Sequence, residues 1–363
     1  MTAAGPAPRF GARPPFAMGM EDELLVVDPR THGLAHEAVE LIERVDPPPE
    51  EGEVKPDTYA AMVELASPPS ATAGEAVAAL AALRARLRAA GATLLGAGIH
   101  PAGAFGDVVH HPGERYAFLA EQLRGLLCRT PTAALHVHVG MPDPEAAIRA
   151  CNGLREHLPL LQALAANSPF WYGRDSGLAT ARAPLFHAYR GAELPRAFAS
   201  YEDYAEATAA AVHAGALPDY TFLWWDVRPH PELGTVEVRA MDSQAALWSA
   251  AALGALVHAL ARREAERCGP WAGTEALREA SFAAARDGLG ARLPLDGALR
   301  PVPEVARATL ALARPHADDP DALALVERIL AAGNGADRQR AAFARGGMPA
   351  VLTLLAEETA APP

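Results

Sequence analysis

Residues 134–140 read Ala134-Leu135-His136-Val137-His138-Val139-Gly140. Side chains alternate across a strand with a period of two, so His136 and His138 share one face while Leu135, Val137 and Val139 share the other. Two further stretches repeat the design. In Met20-Glu21-Asp22-Glu23-Leu24, the glutamates at 21 and 23 lie on one face. In Val236-Glu237-Val238-Arg239, Glu237 and Arg239 oppose the two valines. A strand over Tyr59–Ser67 adds Glu64. If these strands pair in one antiparallel sheet, helices cover the apolar face. The polar face then collects Glu21, Glu23, Glu64, His136, His138, Glu237 and Arg239. Carboxylates gathered that closely repel one another unless a cation joins them. An oxygen-rich set with imidazole suits Mg2+ or Mn2+, and such ions bridge nucleotide phosphates. Arg239 would add a permanent charge beside a phosphoryl group in transfer.

Each motif alone has a plainer reading. E-x-E at a strand end is commonly a solvated face, and E-x-R a surface ion pair. The three together carry the inference.

Around these strands the chain alternates elements. Strands are expected at Phe16–Val27, Thr93–Ile99, Phe222–Val227 and Thr235–Met241. Helices are expected at Gly74–Ala90, Glu114–Leu127, Glu145–Asn167 (interrupted or kinked near Pro159) and Tyr201–Ala214, with a mostly helical remainder. Residues 168–195 read as an irregular loop of the kind that builds sites. Gly333-Asn334-Gly335, followed by Arg338 and Arg340, reads either as an anion-binding helix start or as an ordinary helix entry. His100 reads as a ligand or as a strand-end turn residue, and Phe222, Trp224 and Trp225 as core. No repeat or linker divides the chain. The expectation is a disordered segment over 1–16, one α+β domain over 17–358 and a tail over 359–363.

Composition limits the function classes. The 32 Lys+Arg against 44 Asp+Glu leave a formal net charge of −12, and half of the residues are hydrophobic. That excludes a disordered chain and an electrostatic binder of nucleic acid or anionic membrane. Lys55 is the single lysine, so any lysine chemistry must use it, and it is expected in a loop ahead of the Glu64 strand. Cys128, Cys151 and Cys268 are far apart and fit reduced thiols rather than a disulfide framework. Ser243–Ala261 is uncharged but Ala-rich, and fits a buried helix capped by Asp242 or Ser243 better than a membrane span. A cytoplasmic location is expected.

The segments MEDELLVVDP, VKPDTYAAMVE, ALHVHVGMPD, ANSPFWYGRDSG, LWWDVRPHPELGTVEVRAMD and GNGADRQRAAFARGGMPAVL, spanning Met20 to Glu358, resemble the carboxylate–amine ligases related to type-two glutamate–cysteine ligases. The resemblance implies a glutamine synthetase-like α+β fold: an antiparallel β-sheet with helices on its apolar face and the active site on its polar concave face. It also implies ATP-dependent amide formation through an acyl phosphate, releasing ADP and phosphate. By motif match, Glu21, Glu23, Glu64, His136 and Glu237 would bind Mg2+ or Mn2+. Arg239 and Glu64 would be catalytic. His138, Arg239 and Arg338 would face ATP, and Arg174, Arg182 and Arg228 would grip a substrate carboxylate. The implied partners are a small-molecule acid and amine, with a homo-oligomer such as a dimer as the assembly.

Two departures fall on the substrate side. Ala60-Ala61-Met62 stands where the family usually carries Ser and Gln, and Leu178 and Ala181 stand where it usually has tyrosines, although Arg182 remains. Lost polar anchors point to an acid or amine other than glutamate and cysteine, as in specialised metabolism. The competing readings are a metal-dependent hydrolase built on H-x-H and a non-catalytic nucleotide-binding or small-molecule-binding member. Against the hydrolase, the next strand offers Glu237 and Arg239 in place of further His or Asp ligands. Against the non-catalytic member, clustered carboxylates destabilise one another without a use.

Overall fold

The computed structural model describes residues 8–363. Seven strands form an antiparallel sheet: β1 (Met18–Val27), β2 (Glu53–Pro56), β3 (Met62–Ala66), β4 (Thr93–Leu95), β5 (Ala134–Gly140), β8 (Val227–His230) and β9 (Thr235–Asp242). Two short hairpins lie outside it, β6 (Phe170–Trp171) with β7 (Arg174–Asp175), and β10 (Arg292–Leu295) with β11 (Ala298–Pro301). The order across the sheet is β2-β3-β1-β5-β9-β8, and β4 pairs with the end of β1.

The register explains why the polar residues meet. Lys55 is opposite Glu64, and Glu64 is opposite Glu23. Glu21 is opposite His136, His138 is opposite Glu237, and Glu237 is opposite Arg228. With side chains alternating faces, this pairing lines the groups up across all six strands. Between Leu135↔Met241 and Val137↔Val238 the β9 strand carries one residue more than β5. That bulge falls at Arg239-Ala240, and a bulge is a device for re-aiming a side chain.

The other face carries Met20, Leu24, Val26, Leu135, Val137, Val139, Val236 and Val238, all buried in one core with the helices. The helices are α1 (Ala38–Arg44), α2 (Ala73–Ala89), α3 (Glu114–Leu123), α4 (Pro144–Ala165), α5 (Arg182–Phe186), α6 (Tyr201–Gly215), α7 (Leu247–Glu266), α8 (Thr274–Asp287), α9 (Val302–Ala313), α10 (Pro320–Ala332) and α11 (Gly335–Ala360). Thr72 caps α2 by accepting from the Glu75 N–H, and Asp143 caps α4 by accepting from Ala146 N–H ahead of Pro144. Helix α7 is apolar nearly all round because it is enclosed by α2, α4, α9 and α10. Its Leu253, Leu256 and Leu260 are at most 1% exposed, each burial stabilising by about 1.5–3 kcal/mol. Among the described residues no helix is long and apolar enough to cross a membrane.

Asp22, on the helix-facing side of β1, is buried and paired with Arg84 of α2 at 2.7 Å. Arg84 also donates to the carbonyls of Gln244 and Ala245, both at 2.7 Å. Those carbonyls are drawn to Arg84, and α7 begins at Leu247 with Ala246 as its cap residue, not at Asp242 or Ser243. Asp242 instead accepts from Asn167 N–H, Ser168 and Thr180.

Several expected boundaries move for local reasons. Phe222–Asp226 is not a strand: Arg228 draws in the carbonyls of Thr221 and Leu223, and the β8 strand starts only at Val227. The Thr93–Ile99 strand stops at Leu95, where Gly96 closes on the Gln244 backbone and a Cβ would overlap it. Helix α4 continues through Pro159. Lys55 lies in strand β2, not in a loop. Of the segment expected to be disordered, residues 1–7 lie outside the described residues. The rest is tied down: Arg9 N–H bonds Pro231 O, Gly11 N–H bonds Met141 O, and Phe10 and Phe16 pack on the core. The tail expected from 359 begins inside α11, where buried Thr359 accepts from Gly96 N–H at 2.9 Å.

Candidate active site

A cavity of about 220 Å3 opens on the polar face of the sheet. Glu21, Glu23, Glu64, His136, His138, Arg182, Arg228, Glu237 and Arg239 all line it. A second cavity, also about 220 Å3, reaches Glu21 and His138 from the other side, between Arg13, Lys55 and the glycines 19 and 140. The two share Glu21, His138 and Leu233, so the carboxylate cluster lies where they meet.

Two groups of ligand atoms stand ready within 4.8 Å of one another: Glu21, His138 and Glu237 in one, Glu23, Asp57 and Glu64 in the other. His136 joins them, with Nδ1 at 3.0 Å from Glu21 Oε2 and Nε2 at 3.5 Å from Glu23 Oε1. The Nε2 atoms of both histidines are buried with no hydrogen-bond partner. A buried polar atom without a partner costs about 1–3 kcal/mol, so two side by side among carboxylates mark a site built for something else.

The protonation pattern divides the cluster. Burial pushes the Glu21 carboxyl up, but His138 and His136 outweigh it and hold Glu21 well below the usual carboxylate range. Glu237 is likewise held well below that range, against burial, by Arg228 and Arg239. Arg228 Nε donates to Glu237 Oε2 at 2.7 Å, and Arg239 donates to Oε1. On the other side, burial and the neighbouring Asp57 carboxylate push Glu23 up to about 8. Burial and Glu21 raise Glu64 well above its ordinary value despite Lys55 at 3.6 Å. Asp57 is raised by burial. Glu23, at about 8, therefore holds a proton at neutral pH, and Glu64 and Asp57 are shifted in the same direction. Burial and Arg239 lower His136 to about 4, leaving a neutral imidazole able to act as a ligand. Oxygen-rich donors with neutral imidazole fit a hard divalent cation such as Mg2+ or Mn2+.

Arg182 is 2% exposed, reaches the Arg239 carbonyl with Nη2, and leaves Nε without a partner. The aromatic wall of the cavity is Tyr59, Tyr116, Phe186, Tyr189 and Trp224. Residues 168–195, expected as a site-building loop, supply Arg182, Phe186 and Tyr189 to it. Trp224, expected in the core, faces the cavity, whereas Phe222 and Trp225 are buried.

Three expected positions lie elsewhere. Arg174, exposed on β7, does not line the cavity. Arg338 is paired with Glu358 at 3.0 Å and donates to the Gly333 carbonyl, so it has no free donor set for a nucleotide here. The Gly-Asn-Gly turn is a helix entry: Asn334 and Asp337 form a reciprocal capping box on α11. His100 is buried with Nε2 against the His32 carbonyl at 2.7 Å, outside the cluster. The sequence reading missed Asp57, Arg115, Tyr116, Thr221 and His230, all in the cavity wall. Asp57 was traceable as an acid directly after Lys55-Pro56. Arg115 and Tyr116 had no signal, because they look like ordinary first-turn residues of α3.

Comparison with known proteins follows the same lines. The family model described as glutamate-cysteine ligase family 2 matches residues 17–353. A Rubrobacter xylanophilus protein provisionally named glutamate–cysteine ligase 2-3 is 40% identical over 366 residues, covering 97% of this chain and 99% of its own. A glutamate–cysteine ligase of Halobacterium salinarum is 38% identical over 256 residues, covering 69% of this chain and 71% of its own. Among solved structures, a glutamate–cysteine ligase from Francisella tularensis in complex with AMP superposes with a TM-score of 0.70 at 13% identity. That alignment covers 95% of this chain and 89% of that one, and shows a shared fold. A bifunctional glutathione synthetase from Pasteurella multocida gives a TM-score of 0.65 at 15% identity, over 94% of this chain and 52% of that one. With the family model and the relatives both spanning most of its length, the chain belongs to glutamate–cysteine ligase family 2.

Proposed function

We propose that the chain is an ATP-dependent carboxylate–amine ligase whose chemistry is centred on the Glu21, His138 and Glu237 group and the Glu23, Asp57 and Glu64 group. The observation that carries this reading is the pair of buried Nε2 atoms without a hydrogen-bond partner, set among carboxylates close enough to share a cation. Glu21, Glu23, Asp57, Glu64, Glu237 and the two histidines would hold Mg2+ or Mn2+. Bound divalent cations supply charge neutralisation and positioning of phosphate oxygens.

The residues of the chain do the rest. The cavity between Arg13, Lys55 and the glycines 19 and 140 has an apolar wall in Pro68 and Pro69 that suits a base, and cations that suit phosphates. We assign the nucleotide to it. The aromatic cavity, with Arg115, Arg182 and Arg228 in its wall, is assigned the acid and amine. A substrate carboxylate oxygen attacks the γ-phosphorus and ADP leaves. The amine nitrogen then attacks the acyl carbon, loses a proton and expels phosphate. Arg239, fixed by Glu237 and by its own N–H to the Asp226 carbonyl at 2.8 Å, is placed to meet the transferring phosphoryl group. The Tyr59, Phe186, Tyr189 and Trp224 wall favours a less polar substrate than glutamate with cysteine, whereas Ala60-Ala61-Met62 are buried and do not line the cavity.

Incubation with ATP, Mg2+ and a panel of amino acids and amines tests the reading, with nucleotide analysis and mass spectrometry of the products. ADP with an adduct one water lighter than its two parts is expected. AMP with pyrophosphate would overturn the acyl-phosphate route, and water as co-substrate without nucleotide would establish the hydrolase instead.

A further inference from the structure

Behind the active site, on the other side of α5, lies a separate cavity of about 460 Å3. This is within the range of small-molecule sites, and it is roomier than either cavity at the sheet. Its walls are mainly alanine, proline, leucine and Phe282. Two polar atoms in its lining have no partner: Gln162 Oε1, on a residue 2% exposed, and Ser281 Oγ, on one 6% exposed. Interiors rarely leave such atoms unmet. Neither belongs to the ligase machinery, so the chemistry described above does not account for them.

The charged lining has a definite balance. Arg278 and Glu193 pair at 2.6 Å, both about half exposed. His187 Nε2 meets the buried Asp226 carboxylate at 2.9 Å. Burial works against charge on His187, but Asp226 outweighs it and raises the imidazole pKa. His187 and Asp226 are closed on each other, and the more exposed pair, Arg278 with Glu193, offers a ligand one charge of each sign. Neither a nucleotide nor a divalent cation suits such a balance. A neutral molecule carrying both signs does: its carboxylate can take Arg278, its ammonium can take Glu193 and the two unmet oxygens, and its side chain the apolar wall.

We propose that this cavity is a second ligand site, taking a zwitterionic α-amino acid with an apolar side chain. The site is joined to the active site by backbone. Helix α5 presents Arg182 and Phe186 to the aromatic cavity, and Ala183 and Pro184 to this one. Asp226, which lines the second cavity, accepts the N–H of Arg239 at 2.8 Å. Occupancy would thus bear on Arg182 and Arg239 without touching either.

Isothermal titration of the full chain with L-leucine, L-methionine and L-phenylalanine, without nucleotide or added metal, tests the site. At least one should saturate, and 4-methylpentanoate and 3-methylbutylamine, which each lack one charge, should bind about tenfold more weakly or worse. Arg278→Ala and Ser281→Val should each weaken the zwitterion by about tenfold. Ser281→Val removes a hydroxyl that has no partner, so its melting temperature should match or exceed that of the parent chain, which separates lost binding from lost folding. No saturation with any of the three amino acids overturns the proposal. So does binding that both substitutions leave unchanged, since that places the amino acid at the sheet. Because no turnover is measured, either failure leaves the ligase reading untouched.

Discussion

Arg228 and Glu237 face each other across β8 and β9, with Nε donating to Oε2 at 2.7 Å and neither residue more than 5% exposed. The pair has two functions that substitution separates. Glu237→Gln keeps an oxygen for Arg228 and removes the charge that the metal-competent group needs. ADP formation should fall by about 100-fold or more while the circular dichroism spectrum is kept. Arg228→Met instead leaves a buried carboxylate short of one cation, at a cost of about 3–5 kcal/mol in a urea titration. Full activity in Glu237→Gln would remove this residue from the reaction.

Lys55 stands 3.6 Å from Glu64 Oε1 and 3.2 Å from Glu53 Oε2, as the cation that partly offsets the carboxylate cluster. Lys55→Met should therefore lower the melting temperature of metal-free protein, by the equivalent of about 1 kcal/mol because the lysine is part exposed. Saturating Mg2+ stabilises whichever state binds it, and should close most of that gap. Calorimetry with and without Mg2+ reads both numbers. A deficit that Mg2+ leaves untouched would mean that Lys55 does not offset the charge of the carboxylate cluster.

The polar row across the sheet was legible because strand periodicity assigns faces without knowledge of register. Once MEDEL, HVHV and VEVR are strands, Glu21 with Glu23, His136 with His138, and Glu237 with Arg239 must each share a side, while Asp22 takes the other. What periodicity could not supply was which strands are neighbours, and so it could not say that Glu21 stands opposite His136 and His138 opposite Glu237. Residues whose role depends on the path of a loop were out of reach. Trp224 looked like core because Phe222–Val227 reads as a strand, yet Arg228 bends that segment by taking its carbonyls, and Trp224 then faces the cavity. Arg338 illustrates the opposite error. A positive residue after Gly-Asn-Gly suits an anion site in one dimension, but Glu358, twenty residues on along α11, already holds it.

On the helix side, Asp22 and Arg84 form an ion pair in which both side chains are at most 2% exposed. Arg84 also ties β1 to the 244–245 turn before α7. Arg84→Met should cost about 3–5 kcal/mol by urea unfolding, since it strands Asp22 and two carbonyls. Adding Asp22→Asn to Arg84→Met should recover part of that loss. A double-mutant cycle measures the coupling, and additive costs would show that the two do not act as a pair.

Glu264 supplies the test by pH. It is fully buried at the contact of α7 with α4, against Gly153, where a Cβ would collide with its carboxylate. Burial pushes its carboxyl up, but His157 at 3.1 Å and Arg267 outweigh burial and bring it down to about 2. An unfolded glutamate titrates near ~4.3. With the folded value depressed, the unfolded chain binds the proton more readily. The stability from this group is therefore complete above about pH 5 and is lost as pH falls toward 2. At 1.36 kcal/mol per unit the full contribution is at most about 3 kcal/mol. Urea titrations of the parent chain and of Glu264→Gln should differ by up to that amount at pH 7, and the difference should shrink steadily below about pH 4.5. A gap that stays constant from pH 7 to pH 3 would mean that lost packing, and not the charge of Glu264, sets the cost of the substitution.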